Sequence, residues 1–297
     1  MKHTLLAVLT APIAALLLST HALAVVRTQV VEYKHGDAVL EGYLAYDDAI
    51  QGKRPGVLVA HAWMGLDNYA KQRTEQLAKL GYVAFAIDMY GKGIRPNNPK
   101  DAGAQTTIYR SNRSLMRDRA KAGLTTLQQH PLVQPNQVAA IGYCFGGGVV
   151  LELARSGAPV AGVVSFHGNL DTPNLADAQN IRGKVLVLHG ADDPYVPPEQ
   201  VAAFEGEMRK ADVDWQLVSY GNAVHSFTIP EAGNDPSKGA AYNPVADRRS
   251  FAAMQQFFAE LFSRSPKASS QPTPSSDSRL LPPKTRLIPR MINRPAQ

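Results

Sequence analysis

The stretch Val138-Ala139-Ala140-Ile141-Gly142-Tyr143-Cys144-Phe145-Gly146-Gly147-Gly148 governs how the rest of the chain is read. Its apolar start does not alternate with polar residues, which fits a strand covered on both faces. Glycines stand two residues before and two residues after Cys144. In a tight strand-to-helix turn, side chains at those two positions would collide with the neighbouring strand and helix, so glycine is required. A cysteine at a helix N-terminus meets exposed N–H groups and the positive end of the dipole, both of which favour its thiolate. The motif alone leaves two roles open for Cys144, nucleophile or buried structural residue.

Similar apolar runs recur at Val57 to Ala60, Tyr82 to Ile87, Val160 to Phe166 and Val185 to Leu188. Between them lie segments with helical spacing, such as Met116, Ala120, Gly123 and Leu127, and near the end Phe251, Met254, Phe258 and Leu261. Strand alternating with helix implies right-handed βαβ units, hence an α/β class with a doubly wound, mostly parallel sheet. Upstream, Val30 to Tyr46 alternates and contains the turn residues His35, Gly36 and Asp37, which predicts an N-terminal antiparallel hairpin at one edge. In such sheets ligands gather beyond the carboxyl ends of the strands. Those ends carry His61 to Gly65, Asp88 to Gly91, the Cys144 turn, His167-Gly168, His189 to Asp193 and His225-Ser226-Phe227.

Order and spacing favour the nucleophile. Asp193 lies 49 residues beyond Cys144, and His225 another 32. Nucleophile, acid, histidine, each after a predicted strand, is the order of the α/β-hydrolase fold, with cysteine in the usual serine position. Asp193 is preferred to Asp192 as the acid because the chain turns back into a helix after Pro197; Asp192 reads as a solvated turn residue. From about Val30 to Phe262 the chain resembles the dienelactone hydrolase family, through Tyr143-Cys144-Phe145-Gly146-Gly147, the acid turn from Asp193 to Pro197, and His225-Ser226-Phe227. The resemblance implies a triad of Cys144, Asp193 and His225, with backbone N–H groups of Trp63 and Phe145 as oxyanion donors. Two positions depart from it. Family enzymes that open dienelactones place a glutamate where this chain has Ala62, and an arginine for the substrate carboxylate where it has Ile229. Dienelactone itself is therefore not the expected substrate, while acyl transfer through His225 is.

Trp63, Met64, Phe145, Tyr195 and Phe227 flank the triad and are candidates to wall an acyl pocket, with plain packing as the alternative. His167 on the same rim is a candidate substrate contact or a structural residue. No compact metal-ligand spacing and no phosphate-cradling or dinucleotide motif is present, so neither a metal nor a cofactor is expected. The polar segment from Gly91 to Asn112, rich in glycine, proline and asparagine, is a candidate lid; its bases Lys92, Arg95, Lys100 and Arg110 are candidates to receive an acidic substrate, with plain solvation as the alternative.

Residues 1–24 combine a basic start, an apolar stretch broken by Pro12 and a closing Ala22-Leu23-Ala24, the pattern of a cleaved secretory signal peptide. Periplasmic or secreted protein is expected, without stable membrane insertion. Residues 264–297 hold seven basic residues against one acid, and seven of the 21 prolines, the composition of a disordered tail. Of the formal charge of +6, the tail accounts for +6 and Lys2 for +1, so the hydrolase domain over residues 25–263 is nearly neutral. That gives no support for a nucleic-acid partner, and none is expected. The single cysteine precludes an internal disulfide. A monomer acting on a small ester or lactone is the leading expectation; a catalytically weak ligand binder or thiol redox sensor on the same fold is its rival.

Overall fold

The computed structural model describes residues 25–263. The predicted signal peptide and tail lie outside the described residues. Eight strands form: β1 (Val26–His35), β2 (Ala38–Asp47), β3 (Arg54–Ala60), β4 (Val83–Ile87), β5 (Val133–Tyr143), β6 (Gly162–Phe166), β7 (Lys184–Gly190) and β8 (Trp215–Tyr220). They make one sheet of order β1-β2-β4-β3-β5-β6-β7-β8. β1 and β2 pair antiparallel, as do β2 and β4, and every later pair is parallel. The hairpin starts at Val26, four residues before the expected Val30, and turns at Gly36 with φ of 57°. The fold is the α/β-hydrolase fold read from the sequence.

Alternate residues of each parallel strand feed two different cores. Along β3, Leu58 and Ala60 pack on the face that also buries Leu124, Val149, Phe204 and Met208, whereas Val57 and Val59 join Leu77, Met254, Phe257 and Phe258. The first face is covered by α3 (Arg113–Gln128), α4 (Phe145–Arg155) and α5 (Pro198–Lys210), the second by α1 (Asn68–Lys79) and α6 (Pro244–Phe262). Burial of each such valine, leucine, phenylalanine or methionine side chain contributes about 1.5–3 kcal/mol. Two-sided burial is why these strands read as unbroken apolar runs.

The candidate lid segment is not all loop. Within Gly91 to Asn112 the chain forms α2 (Pro99–Ser111). Asn98 caps it by accepting the Asp101 N–H at 3.0 Å, and Pro99 opens it. An Asn-Pro pair is a helix start as well as a turn signal, because proline lacks only an N–H that the first turn leaves unpaired anyway. Tyr109 of α2 is buried and its ring stacks on Tyr90 at 5.7 Å.

Behind the sheet ends, Arg155 at the last turn of α4 bonds Glu152 (3.1 Å), Glu207 of α5 (2.7 Å) and the Leu170 carbonyl (3.0 Å), all three charged side chains being buried. Arg117 of α3 joins Glu152 to Asp177. This cluster locks α3, α4 and α5 together beneath the rim that carries the candidate chemistry.

The sheet's order of growth reverses between β3 and β5: β4 is added on one side of β3 and β5 on the other. Ala60 stands opposite Gly142 there, so the loops leaving β3 and β5 face each other across the crevice where such sheets bind ligands.

Candidate active site

β5 ends at Tyr143 and α4 begins at Phe145, leaving Cys144 alone to make the turn, with φ 54° and ψ −116°. A Cβ on Gly142 would lie 1.9 Å from the Gly146 carbonyl oxygen, and one on Gly146 would lie 2.1 Å from that of Ala60. Both contacts are with backbone, so no side-chain adjustment relieves them. Positive φ is uncommon outside glycine. Among the described residues five non-glycine positions have it, and three, Cys144, His167 and Ser226, stand just past the ends of β5 and β6 and in the loop after β8.

His225 lies in that last loop, held by a bridge to Ala240, by its N–H to the Gly239 carbonyl (3.2 Å) and by its own carbonyl, which accepts the Ala241 N–H at 3.0 Å. Its Nε2 is 3.0 Å from Cys144 Sγ and its Nδ1 is 2.8 Å from Asp193 Oδ2. Asp193, after β7, is buried; its other oxygen, Oδ1, accepts the Tyr195 N–H at 2.8 Å, which fixes the carboxylate's orientation. Asp192, the alternative acid, is exposed.

The electrostatics favour an ion pair. Burial pushes the Cys144 thiol up, but the His225 charge, its ring hydrogen bond and the backbone N–H groups of Phe145 and Trp63 together bring the pKa below the usual thiol value. Burial pushes His225 down, while the Cys144 thiolate and Asp193 raise it to about 10. Each partner's charge therefore stabilises the other's, and the pair leans toward thiolate and imidazolium. The two N–H groups that touch the sulfur point from α4 and from the β3–α1 loop into one spot, the arrangement that receives a developing oxyanion.

The β3–α1 loop is clamped from behind. Tyr90 Oη donates to the Trp63 carbonyl at 2.8 Å; the Ala62 carbonyl accepts from His61 Nδ1 at 2.7 Å and from the Gly65 N–H at 3.1 Å. His61 Nε2 accepts the Met89 N–H at 3.2 Å. Both ring nitrogens are engaged, and burial lowers the His61 pKa. With the carbonyls of residues 62 and 63 held away, the Trp63 N–H is left facing the sulfur.

The candidate pocket residues divide. Tyr195 is 54% exposed with its ring 5.3 Å from His225, Trp63 is 39% exposed, and Met64 is half-buried at the same rim. His167 and Phe227 are fully buried, and Phe145 nearly so. His167 and Phe227, expected at the substrate, lie instead in the interior, the His167 ring against Phe227 at 5.1 Å and His225 at 5.4 Å. Among the described residues no three His, Cys, Asp or Glu side chains converge as a metal site, and no helix is long and apolar enough to cross a membrane. Tyr90, Tyr69 and Thr228 did not stand out in the sequence; their roles depend on contacts between distant loops, for which spacing carries no signal.

Comparison with known proteins places the chain in a family. The sequence profile of the Dienelactone hydrolase family matches residues 40–262. A solved structure described as a dienelactone hydrolase-like promiscuous phosphotriesterase from metagenomic libraries is 42% identical, covers 80% of this chain and 98% of its own, and superposes with a TM-score of 0.77. A Synechocystis protein named "Putative carboxymethylenebutenolidase" is 27% identical over 248 residues, 78% of this chain and 96% of its own. An uncharacterized protein of Caenorhabditis elegans is 36% identical over 154 residues, 50% of this chain and 94% of its own.

Proposed function

The chain belongs to the dienelactone hydrolase family, hydrolases of ester and lactone bonds, and on that premise we propose that Cys144 cleaves carboxylic esters or lactones through an acyl-enzyme. One observation carries the reading: Cys144 Sγ, His225 and Asp193 Oδ2 form a continuous line of contacts at 3.0 and 2.8 Å. The thiolate attacks the carbonyl carbon, and the carbonyl oxygen takes up its negative charge against the Trp63 and Phe145 N–H groups. The His225 imidazolium protonates the departing alkoxide. The neutral imidazole, its Nδ1–H held by Asp193, then takes a proton from water. Hydroxide attacks the thioester carbon, the acid leaves, and sulfur and ring return to the ion pair.

Ala62 supplies no proton acceptor, and none is needed, since His225 contacts the sulfur directly. The hydrolase is favoured over its rival, a ligand binder or thiol sensor, because Asp193 behind His225 and the paired N–H groups of Trp63 and Phe145 serve acyl transfer and are not needed by a reactive thiol alone. The relative described as a phosphotriesterase makes phosphotriesters a second electrophile to assay, because a phosphoryl oxygen would meet the same N–H pair. Export to the periplasm or medium is proposed from the signal-like residues 1–24 and is tested by the mature N-terminal residue.

The experiment is hydrolysis of a short-chain p-nitrophenyl ester by wild type and Cys144→Ala, with iodoacetamide labelling in parallel. Loss of turnover together with loss of labelling supports the mechanism. Undiminished turnover in Cys144→Ala overturns it, and labelling of an inert wild type favours the binder.

A further inference from the structure

β5 and β6 are neighbours, with Tyr143 paired to Phe166, and the next residue of each strand, Cys144 and His167, has positive φ (54° and 40°). Two strained turns thus stand side by side. A conformation that L side chains rarely adopt persists where its surroundings over-determine it, and such outliers gather at functional sites. The Cys144 N–H is shared between the Phe166 carbonyl at 3.0 Å and His167 Nδ1 at 3.2 Å. A backbone N–H only donates, so Nδ1 carries the lone pair and the ring proton sits on Nε2. That nitrogen lies 2.7 Å from Thr228 Oγ1. Thr228 is three residues beyond His225, on the same loop.

We propose that His167 is a positioning residue for the nucleophile, a neutral imidazole that ties the Cys144 elbow to the loop carrying His225 and so sets the approach of sulfur to Nε2. The inference rests on the reading of Cys144 as nucleophile.

The far end of the tie is anchored. Thr228 Oγ1 accepts from Tyr69 Oη at 2.6 Å, Tyr69 Oη accepts from Arg73 Nε at 3.0 Å, and Arg73 also bonds the Thr228 carbonyl at 3.0 Å and Asp247 at 2.5 Å. The line therefore runs from α6 through α1 to the elbow, through buried groups except the half-buried Asp247 and Cys144. Burial first, and then the charge on His225, hold His167 well below the usual histidine pKa, as its role as acceptor for an N–H requires. A protonated ring would present N–H to N–H and break the tie.

Two variants of the full-length protein test this. His167→Leu keeps approximate volume and removes both hydrogen bonds. Thr228→Val removes only the hydroxyl. The brace predicts that, in folded protein, kcat falls about ten- to a hundredfold for His167→Leu, the scale of loss from a displacement near 1 Å, while KM stays within about twofold. Iodoacetamide alkylation of Cys144 at pH 7 slows, and its pH profile moves to higher pH. Thr228→Val moves the same readouts in the same direction by less. His167→Asn restores part of the activity, since its Oδ1 accepts the same N–H and asparagine tolerates positive φ. If both His167→Leu and Thr228→Val keep kcat and alkylation at wild-type levels per folded molecule, the tie positions nothing and the proposal is wrong, even if melting temperature drops. Alkylation reads the thiol whether or not esters are hydrolysed, so failure of the brace is distinguishable from failure of the hydrolase reading.

Discussion

Asp193→Asn is the sharpest test of the triad, because the structure fixes how the new amide must sit. The Tyr195 N–H approaches Oδ1 at 2.8 Å, so the asparagine turns its oxygen there and presents its NH2 to His225. Nδ1 of His225 then accepts, and the ring proton moves to Nε2, facing sulfur, where no lone pair remains to take a proton. A thiol with an ordinary pKa near 8.5 is about 3% ionised at pH 7, so the thiolate population falls at most about 30-fold. Loss of the imidazolium that protonates the leaving group removes a further factor of about 100 to 10,000. Turnover of an alkyl ester should therefore fall roughly 10^3- to 10^5-fold, about 4–7 kcal/mol at 1.36 kcal/mol per decade. Alkylation by iodoacetamide, which needs thiolate but no leaving-group proton, should fall no more than about 30-fold. Steady-state kinetics beside timed alkylation, with circular dichroism as the folding control, measures both. A folded variant that keeps hydrolysis within about tenfold of wild type would refute the tautomer argument.

Three further outcomes are expected. Activity against pH is bell-shaped: raising pH deprotonates Cys144 first, through a pKa below the usual thiol value, and rates then hold until His225 loses its proton near pH 10; an acid limb at or above the ordinary thiol pKa in stopped-flow alkylation would contradict the ion pair. Gly146→Ala brings a Cβ to 2.1 Å from the Ala60 carbonyl, so it should cost more than the about 1–3 kcal/mol of ordinary overpacking and depress kcat as well, read by urea unfolding and ester turnover. Arg155→Met leaves the buried Glu152 and Glu207 without their shared cation, and urea unfolding should register a loss of about 3–5 kcal/mol.

The inner parallel strands were legible because each is buried on both faces, which makes Val57 to Ala60 or Val185 to Leu188 apolar without interruption. The elbow was legible for a steric reason: glycine at 142 and 146 is demanded by backbone contacts that no other residue survives. Chain order placed Cys144, Asp193 and His225 beyond three strand ends, but the 3.0 and 2.8 Å contacts depend on loop closure that spacing does not encode. His167 and Phe227 show the limit. Both lie in rim segments, yet packing between distant loops, His167 against Phe227 and Thr228, buries them. Helix α2 escaped notice because its caps are also turn formers and its mean composition is polar. The Tyr90 clamp on Trp63 and the Thr228 contact with His167 join segments 27 and 61 residues apart, beyond the reach of any local pattern.

Among the described residues, three of the five non-glycine positions with positive φ stand on the rim that carries the triad, and each such conformation costs on the order of 1–3 kcal/mol. For anyone seeking a heat-resistant version of this protein, those are the first positions that glycine or asparagine would relax. A library ranked by melting temperature alone would therefore drift toward hardy, inert variants, and screening must couple endurance to turnover from the first round.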